Sequence, residues 1–210
     1  MEQAAQSAPS SAPDHREAKR EVFQLVKLVL CLLLVLMAVR MFVMESWPVQ
    51  GPSMAPTLQN RERILVLKLP VLLSHLPFFG WVKPVEPGDL VVFETNEVVK
   101  KRLVKRVVAM GPQPSRVVEA SDGGNHGVQV RFDRGTVYIN NRKLSEPYLE
   151  PSERESSGVN QVTLGSGEYY VLGDNRSVSK DSRILGPVIE SQIVGRAVLR
   201  FWPLSKFSFL

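Results

Sequence analysis

Three short stretches carry residues that could do chemistry. Gly51-Pro52-Ser53-Met54-Ala55-Pro56-Thr57-Leu58 sets a hydroxyl between two prolines. Each proline steers the residue before it away from helical geometry, so Ser53 sits in a rigid loop or strand end. A fixed hydroxyl there is a candidate nucleophile; the alternative is a turn serine, the ordinary occupant of a Pro/Gly-rich loop. A serine nucleophile needs a base. His15, His75 and His126 lie in a leader, a broken apolar stretch and a Gly/Asn loop, so the remaining option is a lysine kept neutral by burial. In Leu103-Val104-Lys105-Arg106-Val107-Val108 strand alternation puts Lys105 on one face with Leu103 and Val107. Lys101 falls on the same face if the strand runs back that far, so periodicity alone does not separate the two lysines; Lys105 is the more enclosed by sequence. In Gly173-Asp174-Asn175-Arg176-Ser177-Val178-Ser179-Lys180-Asp181-Ser182-Arg183 a tight turn is followed by Ser179, Asp181 and Arg183. If that chain is extended, Asp181 and Arg183 pair and brace a site, and Ser179 supplies a hydroxyl to orient the base. The alternative is a polar surface loop with a weak exposed ion pair.

These stretches must be positioned by the rest of the chain. Residues 1–21 are Ala/Ser/Pro-rich and then charged, and read as a disordered tail. Residues 22–44 are mostly apolar, about the length of a transmembrane helix. Lys27 and Arg40 lie near opposite ends, where they can snorkel to the interfaces. A removable signal peptide is the competing reading, against which stand the long polar leader and the absence of a small-residue cleavage site directly after the run. Arg16, Lys19 and Arg20 precede the span and no Lys or Arg occurs between Met44 and Asn60, so the N-terminus is expected in the cytoplasm and residues 45–210 outside it. Ile64 to Trp81 is broken by Lys68, Pro70, His75 and Pro77; it reads as a strand and an apolar loop whose Phe78, Phe79 and Trp81 suit either a membrane interface or a core.

Beyond the membrane segment the pattern is β. Ile64–Leu67, Leu90–Phe93, Val104–Val108, Val128–Val130, Val137–Ile139 and Tyr169–Leu172 are short β-rich runs, and Val188–Val198 is a candidate closing strand. Pro87-Gly88-Asp89, Asp122-Gly123-Gly124-Asn125, Asp133-Arg134-Gly135 and Asn140-Asn141 are turn signals between them. Residues 112–127 and 150–160 read as surface loops. The expected fold is mainly antiparallel β on a single N-terminal transmembrane helix. The formal charge of +5 is dispersed, with no basic block, so nucleic acid is not an expected partner. The one cysteine, Cys31, excludes an internal disulfide, and the histidine spacing gives no zinc site; no metal or cofactor is expected.

Taken together, in order and behind one membrane anchor, these stretches resemble the type I signal peptidases, membrane endopeptidases with a serine–lysine dyad. Gly51–Leu58 is similar to the family's nucleophile box, Gly88-Asp89-Leu90-Val91-Val92-Phe93 to its next box, and Lys105-Arg106-Val107-Val108 to the start of its lysine box. Gly173–Arg183 matches its Gly-Asp-Asn…Ser-x-Asp-Ser-Arg box, and Val137–Leu149 and Gly195–Leu199 also look like family segments. The resemblance covers the chain from about Val39 to Trp202. It implies Ser53 as nucleophile and Lys105 as general base, in preference to Lys101. It implies Ser179 as the serine that bonds the lysine, Asp181 and Arg183 as supports, and Arg106 as the arginine beside the base. It further implies a substrate pocket walled by Trp47, Val49, Met54, Leu58, Ile64 and Val104. The implied substrates are exported preproteins cut after small residues one and three positions before the bond; the lipid bilayer is a partner and the secretion machinery a further candidate. A related enzyme of mitochondria or plastids is the other reading of the location; the N-terminus is not Arg-rich and Ser-rich in the transit-peptide manner, so a bacterial cytoplasmic membrane is expected. Two departures stand out: Gly51 replaces a serine that helps the oxyanion hole in some members, and Ala109-Met110-Gly111-Pro112-Gln113 replaces a Gly-x-Pro-Gly-Asp turn. The competing class is a non-catalytic membrane-anchored scaffold of the same fold, in protein export or filament assembly; retention of Ser53 and Lys105 speaks against it.

Overall fold

A computed structural model describes residues 15–38, 44–68, 85–112, 127–149 and 158–210, with Ser152 and Ser156. The chain divides into two units, Met1–Met41 and Phe42–Leu210. The first contains helix α1 (His15–Ala38). The helix begins inside the stretch expected to be disordered, because Arg16-Glu17-Ala18-Lys19-Arg20-Glu21 are good helix formers. The apolar residues from Val22 to Met37 are exposed on every side of it. Lys19, Arg20, Glu21 and Lys27 interrupt it, and among the described residues no helix is long and apolar enough to cross a membrane.

The second unit is antiparallel β. Its strands are β1 (Met44–Pro48), β2 (Arg63–Leu67), β3 (Leu90–Glu94), β4 (Arg102–Met110), β5 (Val128–Asp133) and β6 (Thr136–Ile139), followed by β7 (Arg142–Lys143), β8 (Val159–Leu164) and β9 (Glu168–Leu172). A single helical turn, α2 (Ser182–Leu185), precedes β10 (Val188–Ile189), β11 (Ile193–Trp202) and β12 (Ser208–Phe209). Among the described residues one sheet has the order β1-β2-β11-β3-β4-β9-β10, with β12 on β11, and a second has the order β7-β6-β5-β8. Every expected run is a strand, although the candidate closing strand is interrupted by a short helical turn at Glu190–Gln192. Met44, expected at the end of the apolar helix, instead opens β1 and pairs with Leu67.

Two turns between strands follow directly from their residues. Arg134 and Gly135 have φ of 44° and 87°, and Asn140 and Asn141 have 48° and 64°. Positive φ at both central positions matches the right-handed twist of the flanking strands. β8 begins inside the expected loop 150–160, with Val159 facing solvent and Asn160 facing inward. Asn160 Oδ1 accepts the Tyr170 hydroxyl at 3.1 Å, which satisfies the inward amide oxygen. The expected apolar loop after Lys68, with Phe78, Phe79 and Trp81, and most of the loop 112–127 lie outside the described residues.

Three apolar clusters hold the domain. Val49, Met54, Leu58, Ile64, Val66, Leu90, Val92 and Val104 form the first. Val91, Phe93, Val107, Val171 and Ile193 belong to the second, with Leu103 packed against it. The third joins Val108, Tyr170 and Leu172 of the large sheet to Val130, Phe132 and Leu164 of the small one. A fully buried side chain of this size contributes about 1.5–3 kcal/mol.

One buried ion pair ties the 173–183 loop to this frame. The Arg176 side chain is 0% exposed, donates to Glu146 Oε1 at 2.5 Å and to Oε2 at 3.3 Å, and donates to Gly173 O at 3.0 Å. Removing one partner strands the other charge in the interior. Glu146→Ala is therefore expected to lower stability by about 3–5 kcal/mol in urea unfolding followed by tryptophan fluorescence. A change within about 0.5 kcal/mol would show that the pair does not hold the loop.

Candidate active site

Lys105 enters from the middle of β4, paired with Val91 of β3. Alternation gives it an apolar face, as Leu103 and Val107 both pack into the second cluster. The residue is 2% exposed. Its Nζ lies 2.7 Å from Ser53 Oγ and donates to Val104 O at 2.9 Å. Burial lowers the amine from its ordinary value to about 8, against the pull of Asp181 and Asp174, which favour its charged form; Arg183 adds to the lowering. Lys101, the rival lysine, lies just before β4, is exposed and makes no hydrogen bond to Ser53 among those described.

Ser53 is held by a turn-rich loop from residue 51 to 58. Leu58 N–H donates to Met54 O at 2.8 Å and Ala55 N–H to Pro52 O at 3.0 Å. Gly51 opens the loop at φ 79°, a left-handed conformation that suits glycine, with its N–H on Asn60 Oδ1 at 3.0 Å. The met underside, Met54 and Leu58, is fully buried.

The 173–183 loop packs directly on this one. Asn175 N–H donates to Ser53 O at 3.1 Å, and the Thr57 hydroxyl donates to Asp174 Oδ2 at 2.5 Å. A Cβ at Gly173 would lie 2.5 Å from Ser53 O and 2.1 Å from Ser179 Oγ, so only glycine permits the approach. Arg106, next to the lysine, makes a two-pronged pair with Asp174 at 2.9 and 2.7 Å, donates to Gly88 O at 2.8 Å, and stacks on Tyr148 at 4.0 Å. Asp181 is 0% exposed. It receives Arg183 Nε and Nη2, both at 2.8 Å, and Gly173 N–H at 3.0 Å. Arg106 and Arg183 thus each pair with one of the two carboxylates that favour the charged form of Lys105.

The expected Asp181–Arg183 pair is present, but not on an extended chain. Asp181 caps the one-turn helix α2, and Arg183 folds back to it from the first turn. Ser179 differs more. Its hydroxyl is buried without a hydrogen-bond partner, and makes no bond to Lys105. The lysine donors go to Ser53 and Val104, while Ser179 Oγ is enclosed against Gly173. Asp174, Thr57, Arg176 and Glu146 were not singled out from sequence as site residues. Only the Gly-Asp-Asn turn signal pointed near Asp174, and it says nothing of the guanidinium that Asp174 receives.

A cavity of about 450 Å³ opens beside the pair, lined by Trp47, Gln50, Gly51, Ser53 and residues Lys101 to Lys105. Of the six residues expected to wall the pocket, Trp47 and Val104 line it. Val49, Met54, Leu58 and Ile64 do not; at 0–2% exposure they are the core that backs the loop. Apolar residues flanking a nucleophile read alike whether they face substrate or core. Among the described residues no group of His, Cys, Asp and Glu could hold a metal ion.

The family model described as signal peptidase, peptidase S26, matches residues 22–202. Signal peptidase IB of Staphylococcus aureus strain MRSA252 is 33% identical over 187 residues, covering 81% of this chain and 84% of the relative. Signal peptidase I of Bacillus caldolyticus is 31% identical over 185 residues, covering 81% and 86%. A crystal structure of a signal peptidase I from Enterococcus faecalis V583 aligns at 27% identity with a TM-score of 0.42, over 54% of this chain and 97% of its own. The chain belongs to the signal peptidase family, peptidase S26, and is a serine peptidase of the signal peptidase I type.

The buried amine makes a prediction about stability. Unfolded, Lys105 keeps its ordinary pKa of 10.5; folded, it has about 8. Between these values the unfolded chain binds more protons, so the folded state gains stability as pH rises, by on the order of 3 kcal/mol in total. Below pH 8 both states are protonated and the full cost of the buried charge is felt. Lys105→Met is expected to lose this component of the pH 8–10.5 gain in denaturant titrations; equal slopes in the two proteins would contradict a buried amine.

Proposed function

We propose that this chain is a membrane-anchored endopeptidase that removes signal peptides from exported preproteins, with Ser53 as nucleophile and Lys105 as general base. The single observation that carries the reading is the 2.7 Å contact between Ser53 Oγ and a Lys105 amine that burial has brought down to about 8. At pH 7 about a tenth of such an amine is neutral, against a few parts in ten thousand at 10.5. The neutral amine takes the Ser53 proton as Oγ attacks the scissile carbonyl. Negative charge collects on the carbonyl oxygen, and the Ser53 N–H, to which no hydrogen bond is assigned among the described residues, is the donor nearest to hand. The resulting Lys105 ammonium gives its proton to the departing amine, leaving an ester on Ser53. Lys105, neutral again, then takes a proton from water as its oxygen attacks the ester, and returns that proton to the departing Ser53 Oγ, which releases the signal peptide and restores both side chains. With Gly51 in the place of a serine, the oxyanion rests on backbone donors.

The substrate class follows from the relatives, which are named signal peptidases, and from the cavity beside Ser53. An extended segment placed in it would present alternate side chains to the walls. The anchoring role of α1 is supported by its apolar residues being exposed all round, the pattern of a helix that needs a nonaqueous surrounding. Arg16, Lys19 and Arg20 at its start favour an N-terminus in the cytoplasm and a catalytic domain outside, on a bacterial cytoplasmic membrane.

Full-length protein in vesicles, given a preprotein with alanine one and three positions before the cut, tests the dyad. Ser53→Ala and Lys105→Ala are each expected to abolish processing while the protein stays with the membrane fraction. Wild-type kcat/KM is expected to rise with pH through a limb near 8. Full activity in either variant, or a limb near 10.5, would overturn the assignment.

A further inference from the structure

The cavity beside Ser53 and Lys105 is also lined by Arg102. Arg102 opens β4, three residues before Lys105. Its guanidinium lies over the Trp47 ring, 5.3 Å from the centroid. Arg102 Nε donates to Glu94 Oε1 at 2.8 Å, and Nη1 donates to Glu45 Oε1 at 3.3 Å. Glu45 is held in turn by Lys68 at 2.7 Å. Trp47 and Glu45 belong to β1, which is separated from β4 in the sheet by β2, β11 and β3. Arg102 therefore links two strands that share no backbone hydrogen bonds, and both it and Trp47 line the cavity. Each of these side chains is about a third exposed, where ion pairs add little to stability. What the arrangement does fix is position: two carboxylates and a ring face leave the planar guanidinium one orientation.

Resting on the reading of Ser53 and Lys105 as the cutting site, we propose that Arg102 sets the size limit for the substrate residue three positions before the cut. From Lys105 back to Arg102 along β4 is about 10 Å at 3.3 Å per residue. An extended substrate with its scissile carbonyl at Ser53 places the residue before the cut beside Lys105. The next side chain on the same face belongs to the residue two further back, about 7 Å along. That side chain meets the Trp47–Arg102 wall. Held between Glu45, Glu94 and the Trp47 ring, the guanidinium leaves less room for a branched or long side chain than for a small one.

The test uses full-length enzyme in vesicles and four preproteins, with alanine or leucine at the third position before the cut and alanine or leucine at the first. Arg102→Ala is expected to raise the leucine-to-alanine ratio of kcat/KM at the third position by about 10-fold or more. The corresponding ratio at the first position is expected to stay within about 2-fold. Arg102→Lys keeps the charge but not the planar fork that bridges both carboxylates, and is expected to raise the same ratio by a smaller factor; it carries the test if the alanine variant does not fold. Ratios unmoved at the third position, or moved equally at both, would overturn the proposal, since a residue that only steadies the fold changes all four rates together. Failure of the underlying site looks different: wild type would not cut the all-alanine preprotein, or Ser53→Ala would still cut it.

Discussion

The withdrawal of one amine from water is the condition on which the remainder of the site depends. Lys105 is an ordinary lysine by type, and in solvent it would be charged and useless as a base. Here β4 carries it into the interior, where desolvation favours the neutral form. Two buried or nearly buried carboxylates stand close enough to oppose that effect. Arg106 pairs with Asp174 and Arg183 with Asp181, yet both carboxylates still favour the charged amine; burial outweighs them, and Arg183 adds to the lowering.

The same bonds join parts of the chain that are distant in sequence. Asp174 receives Arg106 from β4 and the Thr57 hydroxyl from the nucleophile loop, so a single carboxylate sets the spacing of three segments. Asn175 then bonds the carbonyl of Ser53 itself. Gly173 allows this because it carries no side chain; a methyl group there would overlap Ser53 O and Ser179 Oγ. Arg176 anchors the loop from below through Glu146. Ser53 is consequently positioned by its own rigid loop on one side and by the 173–183 loop on the other, with Met54 and Leu58 sunk in the first apolar cluster.

Much of this was legible in the sequence, for reasons that differ by element. Strands such as Leu90–Glu94 and Glu168–Leu172 are runs of mostly buried apolar residues, and Gly135, Asn140 and Asn141 suit the positive φ of their turns. β8 was not legible, because its apolar residues split between faces and its inward Asn160 is satisfied by a tyrosine remote in sequence. The preference for Lys105 over Lys101 came from the family resemblance, since alternation treats the two alike. The Asp181–Arg183 pair was legible from spacing, but the bend that forms it was not. Asp174 receiving Arg106 depends on the fold bringing residues 68 positions apart into contact, and nothing local announces it. The pocket walls divided for a similar reason: apolar character at Met54, Leu58 and Ile64 says that they avoid water, not whether they do so against substrate or core.

The central claim is that burial beside Ser53 brings the amine of Lys105 down to about 8, so that a usable fraction of it is neutral near pH 7. It is tested most directly by following that amine alone: full-length protein carrying carbon-13 at the lysine Cε, titrated by NMR, with the Lys105 signal assigned by its loss in Lys105→Arg. A midpoint near 8, well apart from the other lysines, is the expected result. A midpoint near 10.5, among the exposed lysines, would contradict it.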